Sequence, residues 1–109
     1  MAFSEELADR VRDLIFERDG VTERKMFGGI VWMVNGNMAV GVTGDDLMVR
    51  QSPEDVEVSL AEPHVGPMEM SGKTMKGFLI VREEGIQEDG DLEDWVEAGA
   101  SFAAYMPPK

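Results

Sequence analysis

Four short stretches carry residue types that could do chemistry. Ser71-Gly72-Lys73-Thr74 has the ending of a phosphate-binding loop, in which backbone N–H groups cradle phosphates and the lysine pairs with them. The first glycine of such a loop would fall at position 67, which is proline, and a β-run rather than a helix follows. The segment therefore reads as a hairpin turn. Asp89, Asp91 and Glu93 have the spacing of calcium-loop ligands. Asp94 stands where that loop needs glycine, and Ala100 where it needs a carboxylate, so an acidic helix start explains them better. His64 is the only histidine. With no cysteine in the chain it cannot build a zinc site, and no Gly-x-Ser-x-Gly pattern supplies a serine nucleophile. It reads as a loop histidine. No catalytic constellation, metal site or cofactor site emerges, and the chain reads as non-enzymatic.

The fourth stretch is Lys25-Met26-Phe27-Gly28-Gly29. Paired glycines inside a β-run suggest a bulge, or a site where a ligand lies against bare backbone. The bases Arg24, Lys25, Arg50, Lys73 and Lys76 fall at strand ends and turns. Phe27, Gly28, Gly29, Arg50, Lys73 and Lys76 are the candidate set for a ligand or partner, with Arg50, Lys73 and Lys76 offering charge to an anion. Scattered solvated lysines are the plainer alternative.

Nine methionines supply a different surface chemistry. Met26, Met33, Met38, Met48, Met68, Met70 and Met75 lie in or beside expected strands. Methionine fills irregular core gaps and also serves adaptable binding surfaces. Because side chains alternate along a strand, some of these must face outward unless both sheet faces are covered. An exposed methionine patch would mark a partner site.

Charge limits the partners. The formal net charge is -12, and every charged residue from Glu83 to Pro108 is an acid. Such a chain repels phosphate backbones, and no helix carries a basic stripe, so direct nucleic-acid binding is not expected. A solvated acidic face or a docking surface for a basic protein partner fits instead. At 109 residues the chain makes one domain, 1–109, large enough to bury about two-thirds of its unfolded surface. The absence of cysteine fits a reducing compartment. Acids between Phe3 and Leu14 exclude a signal peptide, and no apolar run nears the roughly 20 residues of a membrane span. A cytoplasmic protein is expected.

The elements that must position these residues follow from local chemistry. Ser4 caps a helix whose stripe is Leu7, Val11, Leu14 and Ile15, with Gly20 past its end. Strands are expected at about 25–34, 37–42 and 47–50. Asn35-Gly36 joins the first two, since a type I′ turn needs two residues at positive φ. Ser52-Pro53 starts a short second helix reaching Ala61, anchored by Val56 and Leu60. A second hairpin pairs 65–70 with 75–81. Phe78-Leu79-Ile80-Val81 is apolar throughout, hence central, and Pro67 places its partner near an edge. A third helix runs from near Asp91 to Pro107. The expected order is α-β-β-β-α-β-β-α: an α+β, two-layer domain whose five-stranded, mainly antiparallel sheet carries its helices on one face.

Met26-Phe27-Gly28-Gly29, Asn35-Gly36-Asn37-Met38, Leu47-Met48-Val49-Arg50 and Met75-Lys76-Gly77, in that order, resemble the TfoX/Sxy N-terminal domain family. Pro67-Met68, Trp95-Val96 and Phe102 extend the likeness over roughly Leu7 to Lys109. The resemblance implies a secretion-chaperone-like fold with sheet order 1-2-5-4-3. Longer members regulate natural competence with a transcription activator and carry a second, helical domain; this chain resembles the short stand-alone members. The resemblance supplies no catalytic residues. It implies a regulatory module acting through protein contacts, with homodimerisation expected by analogy of fold. A small-molecule or anion binder, using a basic patch near the glycine-rich first strand, is the alternative.

Overall fold

In the computed structural model, which describes residues 3–26, 28–70 and 72–108, the chain runs α1 (Glu5–Ile15), β1 (Val21–Met26), β2 (Gly29–Val34), β3 (Asn37–Thr43), β4 (Asp46–Arg50), α2 (Pro53–Ser59), β5 (Val65–Met70), β6 (Lys73–Val81) and α3 (Asp89–Tyr105). The helix starts obey their side chains. Ser4 Oγ accepts from Leu7 N at 3.1 Å, and Ser52 Oγ accepts from Asp55 N at 3.1 Å, each satisfying a first-turn amide. Asn35 and Gly36 both take positive φ, 54° and 85°, closing Val34 onto Asn37.

The sheet departs from expectation in two ways. It has six strands, all antiparallel to their neighbours, in the order β1-β2-β3-β4-β6-β5. The expected single strand at 25–34 is a hairpin: Met26 pairs with Gly29, and Gly28 sits in the turn at φ +73°. The glycine pair therefore turns the chain rather than bulging it. β1 lacks apolar alternation because it is an edge strand, exposed through Thr22–Lys25. The order 1-2-5-4-3 is also corrected. The third expected strand, β4, lies inside the sheet between β3 and β6. Gly44 at φ +58° opens a two-residue turn that folds β4 straight back onto β3, so β6 can pair only with the far side of β4.

β6 is interior as its apolar run requires, pairing with both β4 and β5, with Leu79 and Val81 fully buried. β5 is the other edge, and its register breaks between Pro67 and Glu69, where proline cannot donate to a ladder. On the opposite side of the break, Gly77 takes φ +83° while its carbonyl accepts from Gln51 N at 3.0 Å.

α1 and α3 share one sheet face. Leu7, Val11 and Ile15 of α1 and Leu92, Val96 and Ala103 of α3 join Trp32, Val40, Val49 and Leu79 in one core. Each fully buried Val, Leu or Ile among them contributes roughly 1.5–3 kcal/mol by leaving water. Gly99 lets α3 approach closely: a Cβ there would stand 2.5 Å from the Ala39 carbonyl oxygen. Asn37, fully buried, donates from Nδ2 to the carbonyls of Ala103 (3.2 Å) and Pro107 (3.0 Å), capping the end of α3.

Candidate functional site

The other face of the sheet is built by the same alternation. Register places Val31, Gly41, Met48 and Ile80 side by side across β2, β3, β4 and β6. Val31, Met48, Met68 and Phe78 form a second apolar cluster, joined by the half-buried Met26, Met38, Met75 and Ile80. Among the described residues none of α1 or α3 belongs to it. Five of the nine methionines thus meet on the face that the two long helices leave alone. Thioethers on unbranched stems cover one another and repack at low cost.

Two recesses flank this cluster. The first, about 320 Å³, is walled by Met26, Val31, Met48, Met68 and Ile80, with Gly29 and Gly41 supplying bare backbone. Gly41, with no side chain in the middle of the row, lets Met48 Cε and Val31 Cγ2 close over its backbone at the recess wall. Its charged lining groups among the described residues are Asp46 and Glu69. The second, about 390 Å³, lies between α2 and β6, walled by Val56, Leu60, Pro67, Met75 and Phe78. Glu54, Glu57 and Lys76 rim it. Met68 and Ile80 of the first recess and Met75 and Phe78 of the second belong to the one apolar cluster, which the two recesses therefore share.

The sequence-predicted positions are distributed over this face. Gly29 lines the first recess and Gly28 its adjacent turn. Phe27 lies outside the described residues. Lys76 rims the second recess. Arg50 lines neither recess; its guanidinium lies 5.2 Å from the centroid of the Phe78 ring. Burial pushes that guanidinium down from its ordinary value. Lys73 is exposed at the start of β6. None of the three bases lines the recess that Gly29 lines. Met26, Met38, Met48, Met68 and Met75 do turn to the face away from α1 and α3, but they are buried or half-buried there rather than forming an exposed patch. Val31, Gly41 and Ile80 escaped notice, although strand alternation with the correct register would have found them.

The polar groups elsewhere have structural duties. Glu23 accepts a two-point bond from Arg12 (2.7 and 3.2 Å) and one from Trp32 Nε1 (2.9 Å). The Arg12 bond, opposed by desolvation and helped by Trp32, holds its carboxyl below the usual range. Asp89, in the first turn of α3, pairs with Arg10 at 3.0 Å. Ser101, assisted by Arg18, holds the Glu97 carboxyl low. His64 is exposed at φ +65°, in the loop before β5. Among the described residues no three His, Asp or Glu side chains gather in a group that could hold a metal ion, and no helix is long and apolar enough to cross a membrane.

The family model for the TfoX N-terminal domain matches residues 13–103, nearly the whole chain. No curated protein and no solved structure matches it.

Proposed function

From the premise that the chain belongs to the TfoX N-terminal domain family, we propose that it is a non-enzymatic, competence-regulator-like module that acts through protein contacts made by its methionine-rich sheet face. The observation that carries this reading is the second apolar cluster on the face away from α1 and α3, bordered by two open recesses. Met26, Met38, Met75 and Ile80 are only half-buried, so the recesses leave part of this apolar cluster within reach of a partner. The adaptable thioethers support a surface that conforms to a protein segment.

Site-specific photocrosslinking in the native host tests the reading. A photoreactive residue replacing Glu69, at the rim of the first recess, yields a discrete adduct. The same residue replacing Glu97, exposed on α3, yields none. An adduct of twice the chain's mass identifies a second copy as the partner. Equal labelling from both positions, or none from either, defeats the proposal.

A small-molecule reading draws on one observation, the recess beside Gly29. Its lining carboxylates favour a cation over the anion expected from Arg50, Lys73 and Lys76.

A further inference from the structure

We infer that the partner segment is a short basic peptide with two apolar anchors, one for each recess flanking Met68 and Phe78. This deepens the proposed contact function and rests on it. The anchors follow from shape. Two recesses of about 320 and 390 Å³ share one methionine-rich cluster, and each has room for one large aliphatic or aromatic side chain. The exposed side chain of Leu60, just past α2, and the β5 residue Pro67 prolong the apolar lining on the outer side.

The basic character follows from the rims. Asp46 and Glu69 are the charged groups of the first recess, and Glu54 and Glu57 face the second against Lys76 alone. Four carboxylates thus outnumber one ammonium along the lining. None of Glu54, Glu57 or Glu69 is held in a salt bridge among the described residues. Arg50 is already turned onto the Phe78 ring and lines neither recess. Around this face the whole molecule carries -12, which draws a cationic segment inward from a distance. Apolar anchors would then supply residence time and the rim carboxylates orientation and encounter rate.

Methyl-labelled methionine provides the readout, because Met26, Met48, Met68 and Met75 sit on the face while Met106 ends α3 on the other side of the sheet. The probes are peptides of about twelve residues with leucines at i and i+4, the remaining positions being lysine, glutamine or glutamate in three versions, plus a lysine–glycine peptide without anchors. The expected result is saturable movement of the four face methyls with the lysine–leucine peptide, little movement of Met106, and weakening by salt. The exposed-site double variant Glu57→Lys/Glu69→Lys, which removes no packing, should weaken binding about tenfold. If the glutamine or glutamate version binds this face as tightly, the basic class is wrong while the contact face stands. If the lysine–glycine peptide matches the lysine–leucine one, or Met106 moves equally, the anchors are wrong and the attraction is diffuse. If no peptide moves the face methyls, this inference fails, and crosslinking from position 69 decides the broader reading separately.

Discussion

The two faces of the sheet come from the same strands, residue by residue in alternation, yet they are closed by different means. One is sealed by α1 and α3 over Trp32, Val40, Val49 and Leu79, side chains with one or two stiff rotors or a rigid ring. The other is closed by Met26, Met48, Met68 and Met75 lying against Val31 and Phe78. The first face has shape set from outside by helices and a unique packing to lose. The second has only its own flexible side chains, and so it can rearrange without unfolding the domain. On the proposed reading, stability and recognition are separated by the pleat, with neighbouring residues such as Leu79 and Ile80 on opposite faces.

The largest test of that separation is a matched truncation. Leu79→Ala, fully buried under the helices, should lower unfolding free energy by about 2–5 kcal/mol, because neighbours fixed by three elements cannot collapse into the cavity. Urea denaturation measures this. A loss under 1 kcal/mol would mean that the helix-covered core is as pliable as the methionine face.

Closer to the helix–sheet contact, Gly99→Ala places a methyl 2.5 Å from the Ala39 carbonyl oxygen and 2.7 Å from Val40 Cγ1. Backbone cannot yield as a side-chain tip does, so α3 must lift from β3. The expected cost is about 1–3 kcal/mol, despite alanine's better helix propensity. Thermal unfolding that shows stabilisation instead would place α3 farther from the sheet. Asn37→Ala removes the two donated bonds that hold the carbonyls of Ala103 and Pro107. It should cost about 1–2 kcal/mol and speed amide exchange in the last turn of α3 more than in α1.

How far the sequence discloses this contrast depends on which signals are local. Ser4, Ser52-Pro53 and Asn35-Gly36 act within a few residues of themselves, and the helix starts and the turn stand where they place them, although α2 ends at Ser59 rather than Ala61 and leaves Leu60 exposed. Phe78–Val81 needs burial on both faces, so its interior position could be read from hydropathy alone. β1 could not, because Thr22-Glu23-Arg24-Lys25 on an edge has water on most sides and no apolar rhythm. Without β1, the glycines of the hairpin turn at Gly28 read in the sequence as a bulge or a ligand approach inside one strand. Strand order was illegible for another reason: the pairing of β4 with β6 spans α2 and β5, and no residue encodes it nearby. The candidate face inherits that difficulty. The methionines were visible as a residue type, but Met48 beside Gly41 and Ile80 is a fact of register. The basic candidates Arg50, Lys73 and Lys76 are far apart in sequence, and only strand pairing decides what each one faces.

A smaller effect separates the covered face's polar margin from its core. The Glu23 carboxyl, held low chiefly by Arg12, is about one-third exposed, as is Arg12. A lowered folded value means that the bond contributes fully above the unfolded value of about 4.3 and is lost as pH falls through the folded one. Screening limits the contribution to about 1 kcal/mol or less. Unfolding measured between neutral pH and about pH 3 should therefore lose this increment in the native chain and not in Glu23→Gln, which still accepts from Trp32. Equal pH dependence in both would assign acid sensitivity to other carboxylates.

The smallest expected change falls on the open face, and it is the most discriminating. Met48→Leu keeps volume and apolarity, so stability should shift by less than about 1 kcal/mol, although Met48 is as inaccessible as many residues of the main core. The branched leucine loses the thioether's reach toward the place above Gly41 where the Met48 methyl now lies, 3.1 Å from an ideal Cβ. Partner capture from position 69 should therefore weaken while the unfolding midpoint stays in place. If the midpoint falls as steeply as for Leu79→Ala, Met48 is core in the ordinary sense, and the division of labour between the two faces is lost. If the midpoint and the capture are both unchanged, the thioethers are replaceable filler, and the recess rather than its methionines would carry recognition.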